Sequence, residues 1–269
     1  MHPKNQNLFA VMKRTVFLLV ALLSLNLQLN AQDYNHLPPY GLFDTDLRGS
    51  VKSITTVSRD TVSGLTATVT ENYNRAGFLE KVTRKTLDGF TIEETYRYDK
   101  SGKLVQMEED QNYTISYFEY DKLGRLSRIV RKSEDEGEKV TTITNDASGR
   151  VVAVKEPESI STDTFFYDAK GRVVRHRIGI TINNIRYTYD ANGNILTDCG
   201  KHGCTYNEYN DRGFITSTRY ESVKGSVYNR AKYTYTYIGD SHGNWLQRIV
   251  NEIDNESVII ETRVIEYYP

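Results

Sequence analysis

Apolar and polar residues alternate along most of this chain, with the two-residue period that places successive side chains on opposite faces of a β-strand. Aromatic residues stand two apart in several of these stretches, as in Tyr96 with Tyr98 and Tyr187 with Tyr189. The residue between the first pair is the charged Arg97. The pattern predicts strands that have one aromatic, better-buried face and one polar face.

A seven-residue phrase recurs between the alternating stretches. One of its clearest forms is Tyr-Asp-Lys-Ser-Gly-Lys-Leu at residues 98–104. Successive copies are spaced by 25, 22, 25, 22, 22, 20 and 30 residues, counted between their glycines. A period of this length holds two short strands and two turns, which indicates a tandem array of small units. The shared glycines are Gly77, Gly102, Gly124, Gly149, Gly171, Gly193, Gly213 and Gly243.

Each copy has the composition of a tight hairpin turn. Asp or Asn opens the turn by accepting hydrogen bonds from backbone N–H groups ahead of it, and Gly adopts the left-handed conformation that closes a three-residue hairpin with a bulge. The glycines are therefore predicted to be structural turn residues. This register sets the tyrosine opposite the residue two after Gly. The predicted pairs are Tyr73/Leu79, Tyr98/Leu104, Tyr120/Leu126, Asn145/Val151, Tyr167/Val173, Tyr189/Ile195, Tyr209/Ile215 and Gly239/Trp245.

Polar, turn-type stretches such as Glu156-Pro-Glu158 separate the hairpins and would lie at the other ends of the strands. The sequence thus predicts an all-β fold of about eighteen strands, in which tandem β-hairpins form one long curved antiparallel meander sheet. Strongly twisted sheets of this size rarely stay flat and open. The sheet is expected to be either open with two bare edges or wrapped into a barrel- or shell-like form.

The first residues are typical of an export signal. Met12-Lys-Arg14 precedes an apolar run from Val16 to Leu25, and a polar stretch then ends at Ala31. The apolar run is too short to span a bilayer. We therefore expect residues 1–31 to be a signal peptide, residues 32–48 an extended N-terminal segment or cap, and residues 49–269 the repeat domain.

Composition and charge exclude some classes of function. The chain has 34 basic and 35 acidic residues, a formal net charge of −1 and 38% hydrophobic residues. Removal of residues 1–31 takes away Lys4, Lys13 and Arg14 and no acids, which leaves a net charge of −4. A basic nucleic-acid binder is excluded on this ground, and no integral membrane span is expected after signal removal. Periplasm, outer surface and external medium all remain open as the location.

The phrase Tyr-Asp-x-x-Gly-Arg-Leu/Val, seen at residues 120–126 and 167–173, resembles the YD repeat of the Rhs-type (rearrangement hot spot) family. The resemblance covers about residues 73–246, with a degenerate unit at Arg48-Gly-Ser-Val51. Arrays in that family spiral into hollow β shells, some of which enclose a toxin while others serve adhesion. The resemblance implies a short exported member with a binding or scaffolding role. No toxin-like domain follows the repeats in this sequence.

Two cysteines, Cys199 and Cys204, flank the four residues Gly-Lys-His-Gly. Facing positions across a hairpin mouth are compatible with a disulfide, and export would supply an oxidising compartment. The alternatives are free thiols or a metal site that adds His202 and Asp198 to the two thiolates. The sequence favours the disulfide and predicts no cofactor and no metal.

Candidate chemistry is sparse. The sequence contains no H-E-x-x-H, G-x-S-x-G, G-x-G-x-x-G or P-loop pattern, so no catalytic residue is predicted. Rings on a curved sheet can line a groove for sugars or peptides, although such rings more often pack across strands. The possible ligand contacts are Tyr96, Tyr98, Tyr187, Tyr189, His242 and Trp245.

These features favour an exported, non-catalytic β-repeat protein that presents a structural or binding surface to an unidentified glycan or protein of the cell envelope. Two hypotheses compete with it. One is an enzyme acting on polysaccharide or peptide through acidic residues in a concave groove. The other is a shell component or remnant of an Rhs-type toxin system.

Overall fold

The computed structural model describes residues 47–85, 89–111, 113–159, 161–179, 184–223, 231–253 and 257–269. These residues form strands and turns, and no helix occurs among them. No helix in the described part of the chain is long and apolar enough to cross a membrane. The predicted signal peptide (residues 1–31) and residues 32–46 of the predicted cap lie outside the described residues.

Eighteen strands follow one another along the chain, as the repeat count predicted. They are β1 (Val51–Asp60), β2 (Thr66–Tyr73), β3 (Leu79–Lys85), β4 (Thr91–Tyr98), β5 (Leu104–Glu109), β6 (Thr114–Tyr120), β7 (Leu126–Ser133), β8 (Gly137–Asn145), β9 (Val151–Lys155), β10 (Asp163–Tyr167), β11 (Val173–Arg177), β12 (Asn184–Tyr189), β13 (Ile195–Cys199), β14 (Gly203–Tyr209), β15 (Ile215–Ser222), β16 (Ala231–Gly239), β17 (Trp245–Glu252) and β18 (Ser257–Tyr267).

Every strand pairs antiparallel with its neighbours in the chain, and β1 also pairs with β18. The sheet is therefore a closed, eighteen-stranded, up-and-down β-barrel. The prediction of one long antiparallel meander is confirmed, and of its two forms the wrapped one is correct. The barrel has two ends, which we call the repeat end, formed by the eight glycine-containing turns, and the far end, formed by the turns between hairpins.

The predicted pairing register is confirmed in every copy. Tyr73 lies opposite Leu79, Asn145 opposite Val151 and Gly239 opposite Trp245. The other five tyrosine/aliphatic pairs have the same register. A register shift adjoins each pair, as expected for a hairpin that ends in a bulge.

The buried residues lie on the face that carries these pairs. Leu79, Leu104 and Val173 are at most 2% exposed, whereas Arg97 and Glu119 on the opposite face are exposed. Because the sheet closes on itself, the buried face is the inner one and the polar face points outward. Inside, an apolar cluster runs from Leu47 across β1–β11, and a smaller one centres on Val250. Leu47 joins this cluster four residues before β1 begins.

Candidate functional site

The residue that opens each repeat turn caps the backbone ahead of it. In the second unit the Oδ1 atom of Asp99 accepts hydrogen bonds from the backbone N–H groups of Ser101 (2.8 Å) and Lys103 (3.0 Å). Asn74 and Asn210 make the same two bonds in their units without a charge. The eight turn glycines have φ between 75° and 96°, a left-handed conformation that glycine adopts at little cost.

Aspartates in these turns also interact with the basic residue after glycine. Asp121, Asp146 and Asp168 form ion pairs of 2.6–2.7 Å with Arg125, Arg150 and Arg172. The hydrogen bond from the Arg125 side chain, followed by the one from its backbone N–H, lowers the pKa of Asp121. For Asp99 the Ser101 hydroxyl is the largest cause of the lowered pKa.

Acid should weaken the barrel through these turns. Their carboxyl pKa values are lowered in the folded state, so the carboxylates stabilise the fold above the unfolded value of about pH 4, and that contribution is lost as the pH falls through the lower, folded values. We expect the urea midpoint to fall between about pH 5 and pH 3. Asp99→Asn with Asp121→Asn should flatten this fall, because Asn keeps the acceptor, as in the units that begin with Asn74 and Asn210. An unchanged pH profile in that variant would contradict the assignment.

The repeat tyrosines join neighbouring units, a role that the sequence analysis missed. The hydroxyl of Tyr98 donates to the backbone carbonyl of Leu79 in the preceding unit at 2.8 Å. Tyr120, Tyr167, Tyr189 and Tyr209 bond in the same way to the carbonyls of Leu104, Val151, Val173 and Ile195, at 2.5–2.9 Å. Asn145 replaces the tyrosine with its Nδ2 atom, 2.7 Å from the carbonyl of Leu126. The signal was present in the sequence, since this position is Tyr in six copies and never Phe.

Burial keeps these hydroxyls protonated. It raises the pKa of Tyr120 and Tyr189 to about 12 and also raises that of Tyr98. In four units the side chain after the turn glycine packs on the next unit's ring, as Phe78 does on Tyr98 with ring centroids 4.9 Å apart. Cationic groups take this place at Lys103 over Tyr120, Arg150 over Tyr167 and Arg172 over Tyr189, 4.5–5.0 Å from the ring centroids. Three of the repeat tyrosines at this end are therefore covered by a cation.

The ring closes through a ninth unit that is split between the two ends of the described chain. Tyr267 lies opposite Val51, as a repeat tyrosine lies opposite its aliphatic partner. The Tyr268 N–H donates to the Ser50 carbonyl at 2.8 Å, the bond that Asp99 makes with Lys103 in a continuous turn. Gly49 has a φ of 86°, like the turn glycines. The degenerate unit predicted at residues 48–51 is therefore half of a complete one.

Asn244 holds this split unit to the eighth one. It is 1% exposed, and its Nδ2 atom donates to the Arg48 carbonyl (2.8 Å) and to the Tyr267 hydroxyl (2.7 Å). Its Oδ1 atom accepts the Arg48 N–H at 2.7 Å. Asp240 accepts the Tyr267 hydroxyl, and His242 stacks on the Tyr267 ring at 4.0 Å.

A circular permutant should fold into the same barrel. Joining Pro269 to Arg48 gives Tyr268-Pro-Arg-Gly49, the spacing found from Asp99 to Gly102. With new ends between Asp135 and Glu136, we expect the permutant of residues 48–269 to unfold cooperatively, with stability within about 2 kcal/mol of linear 48–269. The control joins Pro269 directly to Gly49, which leaves the turn one residue short and should be less stable. Equal stability of the two permutants would contradict the conclusion that the two ends of the described chain form one repeat unit.

A charged cluster lies inside the barrel beside the closure. The Arg248 Nε atom donates to Glu261, and both side chains are buried, at 9% and 2% exposed. Ser58 donates to the second Glu261 oxygen at 3.2 Å. Although burial alone would lower the pKa of Arg248, Glu261 raises it above the usual value. The guanidinium of Arg263 lies 3.5 Å from the centroid of the Trp245 ring. We call these residues the seam cluster.

A second interior pair is formed by His176 and Asp163. The His176 Nε2 atom lies 3.1 Å from Asp163 Oδ2, and its ring stacks on Phe165 at 4.5 Å. Asp163 also accepts the Gly179 N–H at 2.9 Å. Within the described ranges no group of three or more His, Cys, Asp or Glu side chains could hold a metal ion.

The six predicted ligand contacts lie in three separate places. Tyr96 and Tyr98 are on β4, and Tyr187 and Tyr189 are on β12, eight strands further along the barrel; His242 and Trp245 are beside the closure. Tyr96 and Trp245 are 5% and 4% exposed, so their rings are taken up by interior packing. The His242 side chain is 47% exposed at the repeat end.

Cys199 and Cys204 are joined by a disulfide and face each other across β13 and β14, with Cα atoms 4.1 Å apart. The neighbouring Asp198 points into the barrel opposite Tyr187, and burial raises its pKa. A mass difference of two hydrogens on reduction of the purified protein would test the bridge.

No family model and no curated protein match the chain. Solved structures that resemble it include a Photorhabdus luminescens Tc holotoxin pore with a TccC3 substitution, at 12% identity and a TM-score of 0.39, covering 73% of this chain and 12% of that one. A TcdB2–TccC3–Cdc42 structure gives 13% identity and a TM-score of 0.38, covering 76% of this chain and 15% of that one. The chain therefore spans only a small part of these toxin chains.

A porin-like protein from Bacteroides uniformis is 14% identical, with a TM-score of 0.48, and the match covers 82% of this chain and 99% of that one. Likenesses of this size assign neither a family nor a function to this chain. Its function has to be argued from its own residues.

Proposed function

We propose that this protein is exported and acts outside the cytoplasm as a non-catalytic β-repeat barrel that presents a structural or binding surface. One observation carries the proposal: the residues that the repeat singles out are engaged in holding units together. Asp99 caps its turn, Gly102 closes it and Tyr98 bonds to the preceding unit. Side chains that cap turns and join neighbouring units have a structural role, and we do not assign them a catalytic one.

The outward face supports a barrel surrounded by water. Its strands carry exposed ion pairs, among them Lys52 with Glu266 and Arg128 with Glu119. Charged groups of this kind are hydrated at little cost, whereas a lipid-facing wall would be apolar. The proposed location outside the cytoplasm rests on the signal-peptide pattern of residues 1–31. We also propose that the chain is a short member of the YD-repeat type. Its seven-residue phrase resembles the YD repeat, and each copy of the phrase forms one hairpin turn of the barrel.

The proposed ligand surface is the repeat end. There the exposed side of His242 lies beside Tyr267, and cations cover the rings of Tyr120 and Tyr189. Half-buried aromatic rings with polar groups around them suit a glycan or a polar protein surface. A ring covered by a cation recurs in three units of the repeat end, at Tyr120, Tyr167 and Tyr189.

Binding without turnover is the expected result for the purified mature protein on a glycan array and on isolated envelope proteins. His242→Ala should weaken binding because it removes an exposed ring and leaves the Asn244 bonds in place. Tyr117→Ala, which removes an exposed ring from the outer wall, is the matched control. No binding to any probe would contradict the binding role. Cleavage of a polysaccharide or peptide that a single Asp→Asn or Glu→Gln change abolishes would contradict the non-catalytic role.

A further inference from the structure

Positive charge is concentrated on one side of the repeat end. Five successive turns, all within the described ranges, span residues 74–78, 99–103, 121–125, 146–150 and 168–172. They hold eight basic and four acidic residues, a net charge of +4. The other four units of this end hold two basic and three acidic residues, a net charge of −1. We use the name basic arc for Arg75, Lys100, Lys103, Lys122, Arg125, Arg150, Lys170 and Arg172.

Three lysines of the basic arc carry charge that no nearby carboxylate offsets. Lys100, Lys122 and Lys170 are exposed, and they form no ion pair with any residue in the described part of the chain. In three of the turns the aspartate pairs instead with the arginine after glycine. The arc therefore presents a positive surface on a protein whose net charge is negative, and such a surface attracts anions.

The other cations of the arc are held in place by the next unit. Lys103 lies over the ring of Tyr120 and against Gly124. The Arg125 Nη1 atom donates to the Asp146 carbonyl at 3.0 Å. Because these side chains are already fixed on the neighbouring turn, little conformational entropy is lost when an anion binds to them.

The spacing of the turns suits a long ligand with regularly placed charges. Neighbouring turns are two strands apart, which is about 10 Å, and the five turns together span about 40 Å. The distance between neighbouring turns is comparable to the length of a disaccharide. A polysaccharide with a carboxylate on every sugar therefore offers one carboxylate to each turn along the arc, and the contacts reinforce one another because they belong to one chain.

The groups between the cations favour a polysaccharide over a more densely charged polymer. Four aspartates lie within the arc, and Asp99 is exposed. A DNA duplex carries a charge about every 1.7 Å along its axis, so it would bring phosphates against these carboxylates. Ser101 and Ser148 are also exposed. Hydroxyl and carboxylate groups are hydrogen-bond partners for the hydroxyls of sugars.

We propose that the basic arc binds an acidic polysaccharide whose sugars carry carboxylate groups. The inference rests on the proposed function, in which the repeat end is the ligand surface, and it adds the chemical class of the ligand. The exposed lysines meet the carboxylates of the polysaccharide, and the polar groups of the turns meet its hydroxyls.

Calorimetric titration of the purified mature protein tests the proposal, with polygalacturonate as the probe. We expect polygalacturonate to bind about tenfold or more tightly than its fully methyl-esterified form, which has the same backbone without the charge. The disaccharide of galacturonate reaches only one turn and should bind about tenfold or more weakly than the polymer. Added salt should weaken binding of the polymer, because the contacts are between exposed charges.

A triple variant locates the binding site. Lys100→Gln with Lys122→Gln and Lys170→Gln should weaken polygalacturonate binding about tenfold. The matched control removes three exposed lysines at or near the far end, with Lys85→Gln, Lys132→Gln and Lys155→Gln. It changes the net charge of the protein by the same amount and should leave binding unchanged. Circular dichroism of each variant establishes that it is folded.

The possible failures separate this inference from the proposed function. Equal binding of polygalacturonate and its methyl ester, or equal effects of the two triple variants, would overturn the inference and leave the binding role in place. Tighter binding of polyglutamate or single-stranded DNA would overturn the assignment to a polysaccharide. Absence of binding to polygalacturonate and to every other probe would remove the binding role as well.

Discussion

Removal of Tyr267, Tyr268 and Pro269 should destabilise the barrel more than any single change within a repeat turn. The truncated protein loses the two bonds of the Tyr267 hydroxyl to Asp240 and Asn244. It also loses the bond from Tyr268 N–H to Ser50 and the one from the Tyr268 hydroxyl to the Tyr73 carbonyl. At about 1 kcal/mol for each bond, and about 1 kcal/mol for the stacked His242 ring, we expect a loss of about 5 kcal/mol.

Urea unfolding measures this loss. Deletion of Pro269 alone is the matched control and should change the midpoint little, because the tyrosines keep their bonds. If the truncated chain does not fold, Tyr267→Phe with Tyr268→Phe replaces it in the measurement. This variant keeps both rings and removes only the hydroxyl bonds, so its loss of stability should be smaller than that of the truncation. A truncation no more harmful than Tyr98→Phe, which removes one hydroxyl bond, would show that the split unit does not hold the barrel closed.

Separation of the buried ion pair should have a similarly large effect. Glu261→Ala leaves the Arg248 guanidinium inside the barrel without its partner, and removal of one member of a buried pair costs about 3–5 kcal/mol. Replacing both residues, with Arg248→Met and Glu261→Leu, should cost much less, because no charge is then left buried. The unfolding free energies of the two single variants and the double variant measure this coupling.

Lys52 and Glu266 supply the matched control for that pair. They form an ion pair at 3.2 Å between β1 and β18, the two strands that close the barrel. This pair lies on the outward face, with side chains 55% and 57% exposed. Lys52→Ala should therefore change stability far less than Glu261→Ala. A double variant as unstable as Glu261→Ala would mean that shape and not charge is what Arg248 and Glu261 contribute.

The local parts of the structure were predictable from sequence. The turn at residues 98–104 is specified by seven contiguous residues, because the Asp side chain, the glycine and the bulge fix the chain reversal among themselves. The opposition of Tyr98 and Leu104 follows from that geometry, and the alternation of side chains along the strands sets which face is buried. The same reasoning holds in each of the eight units, including Gly239 with Trp245.

The ligand-contact residues were harder to place, because exposure depends on what packs above each ring. Trp245 is a prominent residue in the sequence, yet Arg263 and Arg248 lie over its faces, and both come from later in the chain. His242 remains partly exposed because its neighbour Tyr267 covers only one side. The buried pair of Arg248 and Glu261 gave no signal in the sequence, since both lie among many exposed charged residues of the same types.

By itself the sequence determined the strands, their turns and their order, since each of these depends on contacts among residues that are close together in the chain. Only the tertiary structure decided that the sheet closes, because curvature accumulates over all eighteen strands before Tyr267 can meet Val51. The bond from Tyr98 to Leu79 likewise required the positions of two adjacent units. Closure converts a row of hairpins into a barrel with an interior, and the interior is what buries the seam cluster.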